Sequence, residues 1–413
     1  MSAIAASDRP RPGRHRLLAA AAATALIVVT ALPVGAGEAD LAEDEPILDA
    51  ALIDEAVRIV EERFVDEDAV DREALTRGAL RGIIEALGDD GHTVYLSPGE
   101  LEVEEDALKG RVTGIGVLVD RRAGEAVVLS VVDGSPADLA GLRSGDVLLA
   151  VDGHELRRLP RDELDDLVRG TPGSTVRIDF ERAGDPLPRE VTVVRREIDV
   201  PPVAWARVPG SQAALLRIVQ FSTDAADQAR RAIEEARDAG AAAFVIDLRG
   251  DPGGLVDEAV SIAGAFIEEG VAYRQRDRDD AVDEVPVRGP AIAPDAPLVV
   301  LVDYGTASSA EILAAALRDN GRATIIGART FGTGTILSTY GLSDGSAIRL
   351  GTLEWLTPDG ESVFGVGLEP DELVELEPGT APLQPRDLVG MTASDIGASG
   401  DRPLARAIDL LDG

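Results

Sequence analysis

A serine placed where a buried strand hands over to a helix can do chemistry that a loop serine cannot, and Ser308 is spaced for it. Leu298 to Val302 is a short apolar run with the β-branched content of a strand buried on both faces. A small-residue turn follows from Tyr304 to Ala307, and an alanine-rich helical pattern from Ser309 to Arg318. The first turn of a helix leaves amide N–H groups without partners, and its dipole end favours negative charge. Ser308 is thus a candidate to attack a carbonyl while the Ser309 amide helps hold the oxyanion. The plainer reading, a helix N-cap, stays open at this point.

The elements that would position such a nucleophile can be followed along the chain. Ala213 to Val219 and Ala243 to Leu248 read as buried strands, with a turn and helix over 221–239 between them. The second strand runs into Asp247-Leu248-Arg249-Gly250-Asp251-Pro252-Gly253-Gly254, and a helical pattern follows from Val256 to Phe266. Paired glycines after a strand are most simply a tight turn. Residues 274–284 are charged and read as a solvated loop or hairpin. Ala347 to Leu353 gives another strand.

Several of these segments resemble the carboxyl-terminal-processing peptidases, exported serine peptidases that carry a PDZ domain. The run TASSAEI, then Asp319, then GRATIIGARTFGTGT is similar to the family's nucleophile segment, and the resemblance puts the nucleophile on Ser308, with Glu311 and Asp319 also matching. It implies that Gly253 or Gly254 of the Asp247 to Gly254 turn, where Asp251 stands for the family's Asn, completes an oxyanion hole with Ser309. LTPDGESVFGVGLEPDE, residues 356–372, and the closing helix over 401–411 match further family patterns. The resemblance covers about residues 47–411 and implies an α+β multidomain chain: an N-terminal helical region, a PDZ domain and an α/β serine peptidase domain of the crotonase/ClpP-like kind.

Two departures fall on the machinery itself. The family's general base is a lysine where this chain has Thr333, and the glutamine that orients it is replaced by Leu337. The only lysine in the sequence is Lys109, far upstream. A threonine has no useful basicity near neutral pH, so it cannot take the serine's proton. The one histidine worth weighing is His92, within LGDDGHTVYLSPGEL, because some relatives of tricorn type use an upstream histidine as base. Its intrinsic pKa suits the task, and Glu361 or Glu369 would orient it. A purely structural role for His92 is the competing reading.

Residues 111–196 read as a PDZ domain. Gly114-Ile115-Gly116-Val117 resembles the loop whose amides capture a peptide's terminal carboxylate. In VVDGSPADLAGLRSGDVLLAVDG, Ser135-Pro136-Ala137 opens a short helix that Gly141 ends. Val147, Leu149 and Val151 alternate as the next strand requires. Glu163 to Val168 is expected as the helix lining the peptide groove. The expected partners are therefore polypeptide C-termini.

The start of the chain has the three-part layout of an export signal: basic residues 9–16, an apolar run from Leu17 to Leu32, and small residues Val34-Gly35-Ala36. An uncleaved anchor over 17–34 is the alternative. Either places the remainder outside the cytoplasmic membrane. The resulting division is 1–37 leader, 38–110 helical region with apolar Leu48, Leu52, Ile53, Ala56, Val57 and Val60 on one helix face, 111–196 PDZ, 197–385 peptidase-type domain and 386–413 helical tail.

Composition sets the outer bounds. Among 413 residues, 75 acidic and 40 basic side chains leave a formal charge of −35, which argues against nucleic acid as partner. Cysteine is absent and histidine occurs three times, so neither a disulfide nor a zinc site is expected, and no cofactor is implied. Nothing in the sequence fixes an oligomeric state.

Overall fold

The structure, a computed structural model, describes residues 48–413 except 90–92, 123, 133, 144, 158–166, 169, 183, 186 and 378–379. The leader over 1–37, the anchor alternative, His92 and most of the expected groove helix over 163–168 lie outside the described residues.

The site is carried by a six-stranded sheet. Its strands run in the order Val203–Arg207, Ala213–Ile218, Ala243–Asp247, Leu298–Val302, Thr324–Gly327 and Glu372–Leu373, antiparallel in the first pair and parallel thereafter. Parallel strands need helical crossovers, which cover both faces and demand apolar residues on each. Along these strands Leu216, Ile246 and Val300 pack under the helices Ala225–Asp238, Val256–Ala263 and Ser309–Asp319. Their neighbours Leu215, Val245, Val299 and Leu301 pack on the opposite face with Ile396, Leu404 and Ala407 of the C-terminal helices. The segment 386–413 is therefore the second helical layer of this sheet.

A second sheet shares the core of the first through Tyr273, Ile336 and Trp355. Ala347–Leu356 is its long central strand, flanked on one side by Thr335–Gly341 and on the other by Val94–Leu96 and Val271–Arg276, which pairs onward with Val282–Pro286. The strand Val94–Leu96 comes from the N-terminal region, so that region completes a sheet otherwise built from residues 271–356. The charged 274–284 stretch is a hairpin.

The PDZ-type sheet, built from Val117–Arg122, Glu125–Val131, Val147–Val151, Thr175–Glu181 and Arg189–Val194, is entered and left through a two-stranded stem. In that stem Arg111–Gly114 pairs antiparallel with Arg196–Asp199. The expected alternation within Val147–Val151 is corrected: Leu148, Ala150 and Val151 are the buried positions, and Val147 and Leu149 are half-buried. A register shift between Leu148 and Ala150 against Thr175–Glu181 changes the facing residues along the strand.

The first helix, Ala50–Arg63, forms where its periodicity predicts, with Asp49 as N-cap. Its apolar stripe, however, is not buried; Leu52 is 62% exposed. No helix among the described residues is long and apolar enough to cross a membrane.

Candidate active site

Ser308 ends the turn that follows Leu298–Val302, and it does so with φ 55° and ψ −121°. A helix N-cap ordinarily sits in the extended region. A non-glycine residue at positive φ costs of order 1–3 kcal/mol and persists only where its surroundings hold it. Here they do. Ala307 N donates to Asp251 O at 2.9 Å, Thr306 Oγ1 to Leu248 O at 2.8 Å, and Gly250 N to Asp303 Oδ1 at 2.8 Å. Three residues of the turn, Asp303, Thr306 and Ala307, are thus bound to the segment 248–251 after Ala243–Asp247. A sharp strand-to-helix turn of this kind presents a serine hydroxyl at the top of a sheet.

The glycines of that neighbouring turn are there for space. A Cβ on Gly253 would lie 2.8 Å from both Ser308 Cβ and Ala307 O, and one on Gly254 would lie 2.4 Å from Phe221 O. Ser309 Oγ donates to Gly254 O at 2.7 Å and closes the contact from the other side. Gly253 N donates to Asp251 Oδ1 at 2.8 Å. The amides of Gly254 and Ser309 donate to no described residue. Two uncommitted amides beside a serine are what an oxyanion needs.

Asp251 itself is fully buried, and its Oδ2 has no partner among the described residues. Burial raises its carboxyl well above the ordinary range, against the Gly253 hydrogen bond and the charge of Arg217.

The loop carrying Thr333 is brought to the same place by one carboxylate. Glu311, the third residue of the Ser309–Asp319 helix, is fully buried; its Oε2 accepts from Ser308 N and from Thr333 N, each at 2.9 Å. Its Oε1 accepts from Gly332 N at 2.8 Å and from the Thr330 hydroxyl. Burial pushes its pKa up to about 7, although all four hydrogen bonds oppose the rise. The loop is roofed by residues 363–368. Gly365 N donates to Gly332 O at 2.9 Å, Leu368 N to Thr330 Oγ1 at 2.7 Å, and a Cβ on Gly334 would lie 2.3 Å from Phe364 Cβ. The two glycine-rich motifs at 332–334 and 365–367 exist because these backbones touch.

Thr333 is wholly buried; its carbonyl accepts from Trp355 Nε1, and its hydroxyl has no partner among the described residues. Leu337 is wholly buried in Thr335–Gly341, opposite Gly351. Gly351 N in turn donates to Thr93 Oγ1 at 3.1 Å, and Thr93 Oγ1 donates to Asp89 Oδ2 at 2.6 Å. The residues flanking the 90–92 segment are therefore docked across from Leu337.

Other candidates go elsewhere. Glu361 and Glu369, expected as partners for a histidine, are exposed and face Arg318 and Arg329, because both arginines lie at the same surface. Lys109 is half exposed, with Glu105 at 3.7 Å and Asp106 at 3.5 Å. His154 lies in the PDZ part, its Nδ1 3.3 Å from Val151 O. Among the described residues no group of three or more acidic or histidine side chains could hold a metal.

A family model for peptidase family S41 matches residues 212–374, and one for a PDZ domain matches 127–182. The carboxyl-terminal-processing protease of Synechocystis is 34% identical over 79% of this chain and 74% of its own length. The chain belongs to the carboxyl-terminal-processing peptidases. The processing protease CtpA of Bacillus subtilis is 32% identical over 72% of this peptidase and 64% of the relative. A solved photosystem II D1 C-terminal processing protease superposes with TM-score 0.56 at 30% identity, over 79% of this chain and 92% of that one.

The 114–117 loop of this peptidase packs tightly onto the PDZ core. Gly116, at φ 85°, admits no Cβ, which would lie 2.3 Å from Ser135 Cβ. Ile115 is buried in the PDZ core, its carbonyl taken by Ala137 N at 2.9 Å. The amides of Ile115 and Gly116 donate to no described residue. Sequence reasoning had found the loop, but not the role of Glu311; the Ser-x-x-Glu spacing of a capping box, 308 to 311, was the available signal.

Proposed function

We propose that this is an exported carboxyl-terminal-processing peptidase homologue that captures polypeptide C-termini through Gly114–Val117 and whose hydrolysis at Ser308 is impaired for want of a base. The observation that carries the reading is the buried Thr333, joined to Ser308 through a shared Glu311 oxygen, with an unpartnered hydroxyl where an amine is needed. For acyl transfer, Ser308 Oγ must lose its proton as it attacks the scissile carbonyl. The amides of Gly254 and Ser309 would take the oxyanion, and the proton must then return to the leaving amine. Threonine does neither half of that transfer. Losing a triad-type base costs about three to six orders of magnitude in rate, while oxyanion stabilisation leaves a residue of catalysis. Binding by the PDZ loop survives such a loss, which makes an adaptor or regulator of envelope proteolysis the natural use of the chain. Export to the extracellular space or the cell envelope, with residues 17–34 as the alternative membrane anchor, is supported by the basic residues 9–16 and the apolar run that follows them.

One observation favours a second reading, in which His92 supplies the base: Asp89 and Thr93 are docked on Gly351, opposite the buried Leu337. The test compares the wild-type protein with Ser308→Ala, His92→Ala and Thr333→Lys on an unstructured protein ending in apolar residues. Cleavage by Thr333→Lys alone is expected. Rapid wild-type cleavage lost in Ser308→Ala would end the impaired reading, and its loss in His92→Ala as well would establish the second.

A further inference from the structure

In an ordinary capping box the third helical residue returns one hydrogen bond to the N-cap amide, and that finishes its task. Glu311 does more. Of the four groups it accepts from, only Ser308 N belongs to its own helix start; the Thr330 hydroxyl, Gly332 N and Thr333 N come from a loop about twenty residues downstream. We propose that Glu311 is the positioning residue of the site, its carboxylate fixing the separation between the nucleophile turn and the loop that presents position 333. The proposal rests on the reading of Ser308 as the nucleophile.

Three features support it. Both oxygens are fully used, and one of them, Oε2, is shared between Ser308 N and Thr333 N at equal lengths of 2.9 Å, so neither segment can shift without losing a bond to the other's anchor. The loop is roofed by residues 363–368; it meets the nucleophile turn through this carboxylate, through Phe331 N to Thr306 O at 3.0 Å, and through the Phe331 ring tilted against Tyr304 with centroids 5.5 Å apart. Lastly, no cation among the described residues is hydrogen-bonded to Glu311. The groups facing Glu311 from the nucleophile turn and from the 330–333 loop are three amides and a hydroxyl; the nearby Arg318 turns to Asp319 and Arg329 to Glu369. A protonated carboxyl turns one acceptor oxygen into a donor and cannot serve all four groups. Burial raises its pKa to about 7 against the pull of its four hydrogen bonds; because those bonds favour the ionised form, the clip itself tightens as the pH rises through neutrality while Glu311 stays buried.

Amide hydrogen exchange on the full chain tests this without requiring hydrolysis. In the wild type, protection of Gly332 and Thr333, corrected for intrinsic rates, is expected to rise about tenfold between pH 6 and pH 8, while Leu298–Val302 stays unchanged. In Glu311→Gln the two loop amides are expected to exchange at least about tenfold faster at pH 8, with sheet protection retained. Flat wild-type protection across that range, or a Glu311→Gln loss spread equally through the sheet, overturns the proposal. Thr333→Lys separates it from the functional reading: if that variant hydrolyses, adding Glu311→Gln should lower kcat with KM unchanged. An equal kcat in the double variant overturns the positioning role. A silent Thr333→Lys counts against the missing-base reading alone, and the exchange result still decides the role of Glu311.

Discussion

Two buried acidic sites, Asp247 with Asp401 around Arg249 and Glu311 in the helix after Ser308, are satisfied in opposite ways. Beneath the glycine turn, Asp247 and Asp401 share the guanidinium of Arg249, with Nη2 to Asp247 Oδ2 at 2.7 Å and Nη1 to Asp401 Oδ1 at 2.7 Å. Arg217 Nη1 lies 3.0 Å from Asp247 Oδ1, close but out of hydrogen-bond alignment. Glu311, by contrast, meets only amides and a hydroxyl. Burial alone would raise both carboxyls; the arginines overcome it at Asp247 and bring the pKa down to about 2, whereas uncharged donors leave Glu311 at about 7. Cations make a buried carboxylate a fixed structural charge, and dipoles alone leave it titratable near neutrality.

This contrast can be broken from the cation side first. Asp401 also accepts from Leu404 N at 3.1 Å and Leu383 N at 2.9 Å, so it caps the last helix and, through Arg249, ties the tail to the glycine turn. Asp401→Ala strands one buried positive charge and is expected to destabilise by about 3–5 kcal/mol in chemical denaturation. A loss under about 1 kcal/mol would mean that the network is not desolvated in solution.

The two clusters also predict opposite pH slopes. Asp247 has a folded pKa below its unfolded value of 3.8, so its contribution is present above that pH and lost as the pH falls towards about 2. Glu311 has a folded pKa above its unfolded 4.5, so its favourable contribution is complete below pH 4.5 and lost as the pH rises to about 7. That second loss is roughly 3 kcal/mol. Glu311→Gln should flatten the slope between pH 4.5 and 7, measured by denaturant unfolding at several pH values. An unchanged slope would place the titration elsewhere.

Asp251 gives the smallest effect and sharpens the comparison most directly, since no cation is hydrogen-bonded to it among the described residues and only its Oδ1 has a donor. Asp251→Asn is expected to raise stability at pH 7 by about 1–2 kcal/mol. The gain should vanish below about pH 4, where the aspartate is protonated in both states. A gain of equal size at both pH values would show packing, not ionisation, to be its cause.

What was legible in the sequence was local. The strand, turn and helix around Ser308 follow from an apolar run, small residues and an alanine-rich period within about twenty positions. The glycine turn at 253–254 and the PDZ turn at 114–117 follow from residues that alone tolerate such backbones. The misread alternation of Val147–Val151 has the same origin: a register shift belongs to a pair of strands, and one strand's sequence does not display it. Glu311 was visible as a motif residue. Its hold on Thr330, Gly332 and Thr333 was not.

Sequence by itself determined that this chain carries a PDZ loop, a serine at a strand-to-helix junction and a threonine and a leucine at 333 and 337, because each depends on residue type and short spacing. Only the tertiary structure decided that a tail aspartate 152 residues away neutralises Arg249, that Val94–Leu96 joins the peptidase sheet, and that one carboxylate holds the serine turn and the threonine loop together. The physical reason is range. Backbone preference acts over a few residues, whereas a buried charge or amide takes whichever partner the packed chain brings within about 3 Å.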